Sequence, residues 1–367
     1  MTTSIDLHEE IEGLQEGLPR EEVSAYPLDD IMVRSENRTV GDIVKRIQAG
    51  RYAMNPDFQR DFVWPQDKQS MLIESCVMRI PLPVLYVAEG EDGRITVVDG
   101  LQRLSTFQVF LSNKLRLAGL GKTHPLEGKK FDDLPTNLQE RIEDTQLTLY
   151  ILDKAAPEAA RLDIFDRVNS GIPLSRQQMR NALYNGQATR WLAEMAQDPA
   201  FLSATGGSLS HQTMRDREAI NRFAAFSLFG WQKYTGDMDL FLARALGTLN
   251  RAPGSQMRQI SEDFRRSMTV NEHLFGRHAF RKSLVEGREE AYRSVINISM
   301  FDTFSFFVGR ISSENLASSR TRIEERIHSL MDVDRFNNAL TYSTNSTIQV
   351  RTRFDMMADA LQGWLKP

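Results

Sequence analysis

The chain has 367 residues, which is enough for two domains with hydrophobic cores at roughly 150 residues each. Its composition, 41% apolar and 26% charged, is that of a globular protein and excludes a disordered, collagen-like or disulfide-stapled chain. The formal net charge of −4 does not favour a general polyanion binder, and the single cysteine excludes an internal disulfide.

The first segment, residues 1–35, is predicted to be an acidic leader. Residues 1–30 contain nine acidic residues and one basic residue, whereas the other 337 residues contain 44 basic and 40 acidic residues, a net charge of +4. Acidic runs of this kind are typical of solvated tails. Neither a signal-peptide pattern nor an apolar run of 18 residues occurs. We therefore expect a soluble, cytoplasmic protein without a membrane partner.

The next segment, residues 36–155, alternates helix and strand patterns. Thr39 and Asp42 have capping-box spacing at the start of an apolar helical stripe. Cys76 lies on the apolar face of the following helix and is expected to be a buried small hydrophobe. In chain order, the predicted elements are a helix closed by Gly50, a helix over 67–78, a hairpin of 84–87 and 95–98, a helix from Leu101, a polar loop over 119–144 and a strand over 146–152.

Residues 156–367 are predicted to be helical. A helix after Pro157 ends near Asn169, and Ser175 caps another that stops at Gly186; beyond residue 187 almost no strand pattern is found. The overall prediction is an α+β protein, in which a small α/β domain over 36–155 precedes a mostly α-helical domain over 156–367.

The strongest chemical motif is Asp99-Gly100-Leu101-Gln102-Arg103, between a predicted strand and a predicted helix. An Asp-Gly pair alone is more often a tight turn. Here the chain passes directly into a helix, whose first amides lack intrahelical acceptors and can bind an anion. Arg103 in the first turn opposes the helix dipole unless an anion lies between them. The motif therefore predicts a phosphate-binding turn.

Two further segments admit both a functional and a structural interpretation. The segment 55–64 combines Phe58, Gln59 and Arg60 with other aromatics, which suits a base or phosphate pocket, although the aromatics could equally fill the core while Arg60 pairs with a neighbouring aspartate. Asn169 lies in a segment whose Asn-Ser-Gly run is more often a helix stop, and Arg180 on the next helix could face the same pocket. Two arginine clusters, at 215–222 and 351–353, are expected to be salt-bridged surface or interdomain contacts.

These motifs together resemble the N-terminal domain of GmrSD-type restriction enzymes, whose signature is Asp-Gly-Gln-Gln-Arg. The resemblance covers residues 36–225 and runs through the blocks 56–64, 72–75, 80–83, 98–104, 165–181 and 216–223. It implies a ParB/sulfiredoxin-like α/β fold that holds nucleotide phosphates at the strand–turn–helix. It also implies binding, and often hydrolysis, of nucleoside triphosphates in defence against bacteriophage.

The resemblance carries over to particular residues. It implies catalytic roles for Asp99, Gln102 and Arg103, while the expected nucleotide-binding set is Phe58, Gln59, Arg60, Gly100, Leu101, Ser105, Asn169 and Arg180. Asp99 or Asn169 could hold Mg²⁺ or a water, and no metal ligand is assigned. Leu101 replaces the first glutamine of the signature, so hydrolysis is in question.

The histidine-asparagine-histidine nuclease motif that accompanies this domain in the restriction enzymes is not found among the six histidines. DNA cleavage would then belong to a separate nuclease or effector subunit, regulated by this nucleotide-dependent sensor. Two alternatives stay open: a nucleic-acid-binding or processing module with a ParB-like fold, and a non-catalytic interaction scaffold.

Overall fold

The structure is a computed structural model that describes residues 11–13, 33–54, 64–90, 93–153, 164, 175–286 and 293–365. The chain forms two compact units. The sheet unit is Ser24–Leu183, and the helical unit is Tyr184–Pro367 together with Met1–Val23. Among the described helices, none combines the length and apolar character needed to cross a membrane.

The sheet unit contains a five-stranded mixed sheet. Its described elements are β1 (Val33–Thr39), α1 (Val40–Gln48), β2 (Tyr52–Ala53), α2 (Gln66–Val77), β3 (Leu85–Glu89), β4 (Ile95–Asp99), α3 (Leu101–Leu111), a 3-10 turn (Phe131–Asp133), α4 (Thr136–Glu143), β5 (Gln146–Leu152) and α5 (Arg176–Leu183). The strand order is β1-β5-β3-β4-β2. Strands β1 and β5 pair antiparallel, as do β3 and β4, whereas β3 with β5 and β2 with β4 are parallel.

Alternating side chains bury both faces of this sheet. One face, with Val87 and Val97, packs in a core shared with α1, α2 and α3, in which Cys76 is fully buried. The neighbouring residues Ala88 and Val98 lie in a second cluster with α5. Because β4 is packed on both faces, its last residue and the helix that follows it are held in a fixed relation.

Most of the predicted elements in this unit are confirmed. Thr39 caps α1, accepting a hydrogen bond from the amide of Asp42 at 3.2 Å, and Ser175 accepts one from the amide of Gln178 at 3.2 Å at the start of α5. The hairpin, the helix from Leu101 and the strand over 146–152 are also present. The predicted helix between Pro157 and Asn169 lies outside the described residues, apart from Ile164.

The predicted loop over 119–144 is wrong in its last third, because residues Thr136–Glu143 form α4. That helix buries only Ile142, so its sequence carries too weak an apolar stripe to be distinguished from a polar loop. Strand β1 was not predicted for a related reason. It is an edge strand whose first three residues are exposed, and such a strand needs no apolar alternation.

The helical unit is built around a large aromatic core. Its described elements are α6 (Gln187–Ala196), α7 (Pro199–Thr205), α8 (Arg215–Phe229), α9 (Met238–Asn250), α10 (Gly254–Phe275), α11 (Ser283–Glu286), α12 (Ile298–Phe307), α13 (Ser313–Met331), α14 (Asp334–Thr341) and α15 (Thr347–Leu361), with 3-10 turns at Trp231–Lys233, Gly276–His278 and Val308–Arg310. In this described part, strand pairing is limited to isolated bridges. The predominance of helix beyond residue 187 is therefore confirmed.

The expected salt bridges of the arginine clusters are confirmed for Arg222 and Arg353, but their expected location, at the surface or between domains, is wrong. Both are fully buried in the helical unit and share the buried carboxylate of Asp302, at 2.6 Å and 3.1 Å. Burial lowers the pKa of Arg353 to about 10, although Asp302 acts in the opposite direction. For Arg222, Asp302 outweighs the effect of burial and raises the pKa. These charges hold α8, α12 and α15 together.

Candidate functional site: the Gly100 turn

The Gly100 turn, residues 99–103, is the point at which β4 becomes α3. Gly100 has φ = +98° and ψ = 9°, a left-handed conformation that side-chain-bearing residues rarely adopt. A Cβ atom at this position would lie 2.0 Å from Cδ2 of Leu85, a fully buried residue of β3. Both the backbone conformation and the neighbouring strand therefore require glycine.

The start of α3 has the features of an anion-binding helix end. Its first backbone hydrogen bond runs from the amide of Leu104 to the carbonyl of Gly100, at 3.0 Å. The amides of residues 101–103 precede that bond and lie at the positive end of the helix dipole. Among the described residues, no side chain caps the helix, and its first turn carries no acidic residue. The turn can therefore accept an external anion through its backbone.

Arg103 is held by the protein itself. Its side chain is 10% exposed, and Nη2 donates to Oδ2 of Asp99 at 2.9 Å and to the carbonyl of Val84 at 3.0 Å, while Nη1 donates to the carbonyl of Pro83. Burial lowers the pKa of Arg103 and Asp99 acts against that effect, so the guanidinium remains charged. The cation that opposes the dipole is thus balanced internally, and its presence does not require a bound phosphate. A role of Arg103 in nucleotide binding stays a prediction.

Gln102 joins the turn to another part of the sheet unit. Its Oε1 accepts a hydrogen bond from the backbone amide of Trp64 at 3.0 Å. The backbone carbonyl of Trp64 in turn accepts one from Nε2 of Gln69, also at 3.0 Å. Gln102 and Gln69 therefore fix the backbone of Trp64 next to the first turn of α3.

Comparison with known families bears directly on this turn. The model of the GmrSD restriction endonuclease, N-terminal domain, matches residues 40–185. Residues 40–185 belong to the GmrSD N-terminal domain family. The match contains the Gly100 turn and strands β2 to β5 of the sheet that positions it, as the sequence motifs predicted. A search of the curated proteins found no match.

The GmrSD domain brings part of the predicted site together. Asp99, Gly100, Gln102 and Arg103 share the turn, Leu101 is partly buried against the core, and Ser105 lies one helical turn further on α3. Arg180 is fully buried on α5, where its Nε donates to Oε1 of Gln177 at 3.0 Å. The remaining predicted residues, Phe58, Gln59, Arg60 and Asn169, lie outside the described residues of the domain.

Three contributors to the turn were not in the predicted set. Leu85 excludes a side chain at position 100, the carbonyls of Pro83 and Val84 hold Arg103, and Gln69 fixes Trp64. Contacts made by backbone carbonyls and by packing cannot be identified from residue types in a single sequence. The Pro81 and Pro83 pair, which breaks secondary structure just before β3, was the only signal that the sequence offered.

The described part of the GmrSD domain does not hold a ready-made metal centre. No group of three or more histidine, cysteine, aspartate or glutamate side chains is arranged to bind a metal among the described residues. Mg²⁺ bound with a nucleotide commonly takes only one or two protein carboxylates and completes its shell with phosphate oxygens and water. Asp99 is the carboxylate of the turn that fits this requirement.

Proposed function

We propose that the Gly100 turn binds the phosphates of a nucleoside triphosphate, and that the chain acts as a nucleotide-dependent sensor in a restriction-type defence system. The observation that carries the proposal is the left-handed glycine between strand and helix, with no room for a side chain and with no acidic residue in the first turn of the helix. The family's description as a restriction endonuclease domain supports the defence context.

Each part of the turn has a distinct expected contribution. The amides of residues 101–103 would bind phosphate oxygens, and Gly100 lets these oxygens approach the backbone. The Asp99–Arg103 pair would fix the turn, with Asp99 also able to meet a nucleotide-bound Mg²⁺. We propose slow or absent hydrolysis, because Leu101 cannot orient a water molecule, and DNA cleavage by a separate nuclease subunit.

A matched pair of variants tests the site. Leu101→Gln and Leu101→Glu remove the same leucine packing and differ by one negative charge in the first turn of α3. A carboxylate about 5 Å from a phosphate, at an effective dielectric constant of about 20, costs about 3 kcal/mol per unit charge. A carboxylate in the first turn also interacts favourably with the helix dipole, so the charge does not lower the stability of the fold.

The measurement is binding of the four ribonucleoside triphosphates by calorimetry, with and without Mg²⁺, followed by turnover assays. We expect the wild type and Leu101→Gln to bind, and Leu101→Glu to bind about a hundredfold more weakly. Turnover gained in Leu101→Gln would assign hydrolysis to the missing signature residue. The proposal is refuted if the wild type binds none of the four nucleotides, or if the two variants bind equally well.

A further inference from the structure

Trp64 occupies a defined place beside the Gly100 turn. Its amide donates to Gln102 of α3 and its carbonyl accepts from Gln69 of α2, each at 3.0 Å. The backbone of Trp64 is therefore fixed at both of its polar groups, between the first turns of two helices. The contact with Gln102 ties its position to the same helical turn whose amides form the proposed phosphate site.

The indole of Trp64 has the properties of a ligand-facing aromatic group. It packs against the core of the sheet unit but remains partly exposed. A partly exposed aromatic ring presents apolar surface on which a planar ring can stack. A partly exposed aromatic ring on a residue whose backbone contacts the first turn of α3 suits a ligand that carries both an aromatic ring and phosphates.

We propose that the nucleobase stacks on the indole of Trp64, and that Gln102 is a positioning residue that holds Trp64 for this purpose. The inference rests on the proposed nucleotide-binding function and specifies the base-facing part of that site. Gln102 acts through Trp64, because its amide oxygen already accepts the Trp64 amide. The catalytic role expected for Gln102 gives way in this proposal to a positioning role.

The test compares a ligand that contains the nucleobase with one that contains only the phosphates. Equilibrium binding is measured for the preferred nucleoside triphosphate and for inorganic triphosphate, and the ratio of the two affinities isolates the contribution of the nucleoside. Base stacking on an aromatic residue accounts for roughly a tenfold to hundredfold gain in affinity. We expect Trp64→Ala to lose this gain while its affinity for inorganic triphosphate stays within about twofold of wild type.

Four further variants keep the test decisive. Trp64→Leu fills the space without an aromatic face, so it replaces Trp64→Ala if that variant unfolds. Gln102→Met lacks the acceptor and should reduce the affinity ratio about tenfold. Gln102→Glu retains the acceptor and should therefore preserve the affinity ratio, although its negative charge weakens the binding of both ligands. Gln108→Met, on the same helix and partly exposed, is the control.

The outcomes separate this inference from the function on which it rests. If the wild type binds neither ligand, the proposed function fails. If the wild type binds both and Trp64→Leu keeps the wild-type ratio, base stacking on Trp64 is refuted while the phosphate site stands. If Trp64→Leu loses both ligands equally, Trp64 shapes the phosphate site instead of the base site, and the inference is also overturned.

Discussion

Replacing Gly100 with alanine tests whether the turn is built as the structure shows. The new Cβ would lie 2.0 Å from Cδ2 of Leu85, closer than any two such carbons can approach, and φ would have to stay near +98°. Leu85 is fully buried in β3, between neighbouring strands, so it cannot rotate away without disturbing the core. The variant must therefore move either the strand or the start of α3.

The expected loss of stability follows from these two effects. A left-handed backbone costs a non-glycine residue about 1–2 kcal/mol. Overpacking a well-filled core costs about 1–3 kcal/mol more. Alanine recovers about 0.4–1 kcal/mol by restricting the unfolded chain. We expect the free energy of unfolding of the sheet unit to fall by about 3 kcal/mol.

Cys76 provides an assay specific to the sheet unit. It is the only cysteine of the chain, is fully buried, and lies in the same core as Leu85. Labelling by an excess of thiol reagent therefore requires the unit to open, and its rate reports the open population when reclosing is fast. A loss of about 3 kcal/mol should raise the labelling rate by about a hundredfold.

Two comparisons show whether the contact with Leu85 is the cause. Gly121 has a similar φ of +111°, and a Cβ atom added there would meet no other atom within 4 Å, so Gly121→Ala should cost only about 1 kcal/mol. Leu85→Val removes the colliding carbon, so the double variant with Gly100→Ala should recover about 1 kcal/mol relative to additivity. Equal labelling rates for Gly100→Ala and Gly121→Ala would refute the reasoning.

Two further predictions concern charge. Arg103→Met leaves the carbonyls of Pro83 and Val84 without their donor and should destabilise the sheet unit by about 3 kcal/mol. Arg103→Lys reaches fewer acceptors and should lose about half as much stability, measured by the same labelling assay. If both variants are as stable as the wild type, the described contacts of Arg103 are contradicted. Burial raises the pKa of Cys76 to about 11. The folded thiol therefore keeps its proton where the unfolded thiol loses it, so stability is intact below about pH 8.5 and falls by about 2–3 kcal/mol as the pH rises to 11. Urea unfolding should show a smaller fall in Cys76→Ala, and an identical pH dependence would show that Cys76 is not buried.

The sequence was sufficient to predict the Gly100 turn because its signals are local. A β-branched strand, an Asp-Gly pair and an apolar helical stripe occupy consecutive residues, so no tertiary contact is needed to join them. The partners of Arg103 could not be predicted in the same way. Its two carbonyl acceptors lie about twenty residues earlier, and any residue type supplies a carbonyl.

The partners of charged residues are also hard to predict from the sequence when they lie far apart along the chain. Arg222 and Arg353 read as surface residues in the sequence, because an arginine pattern carries no information on a carboxylate far along the chain. In the sheet unit, one cavity of about 530 Å³ is lined by Arg34, Arg38, Arg46, Arg51 and Arg94, which are far apart in the sequence. Arg34, Arg38 and Arg46 form ion pairs with Glu36, Asp42, Glu89 and Asp153, so the cavity does not favour a polyanion.

The balance of charge at the Gly100 turn explains why Leu101 is compatible with a phosphate site. Asp99 offsets Arg103, so the positive potential of the turn comes from backbone amides and the helix dipole, not from a free cation. A backbone amide is present whatever side chain follows it, and leucine at position 101 keeps its own while packing on the core. The departure from the signature therefore leaves intact the backbone groups that we propose bind phosphate. In the proposed site, the effect of Leu101 would fall on side-chain chemistry, so hydrolysis would be affected without loss of binding.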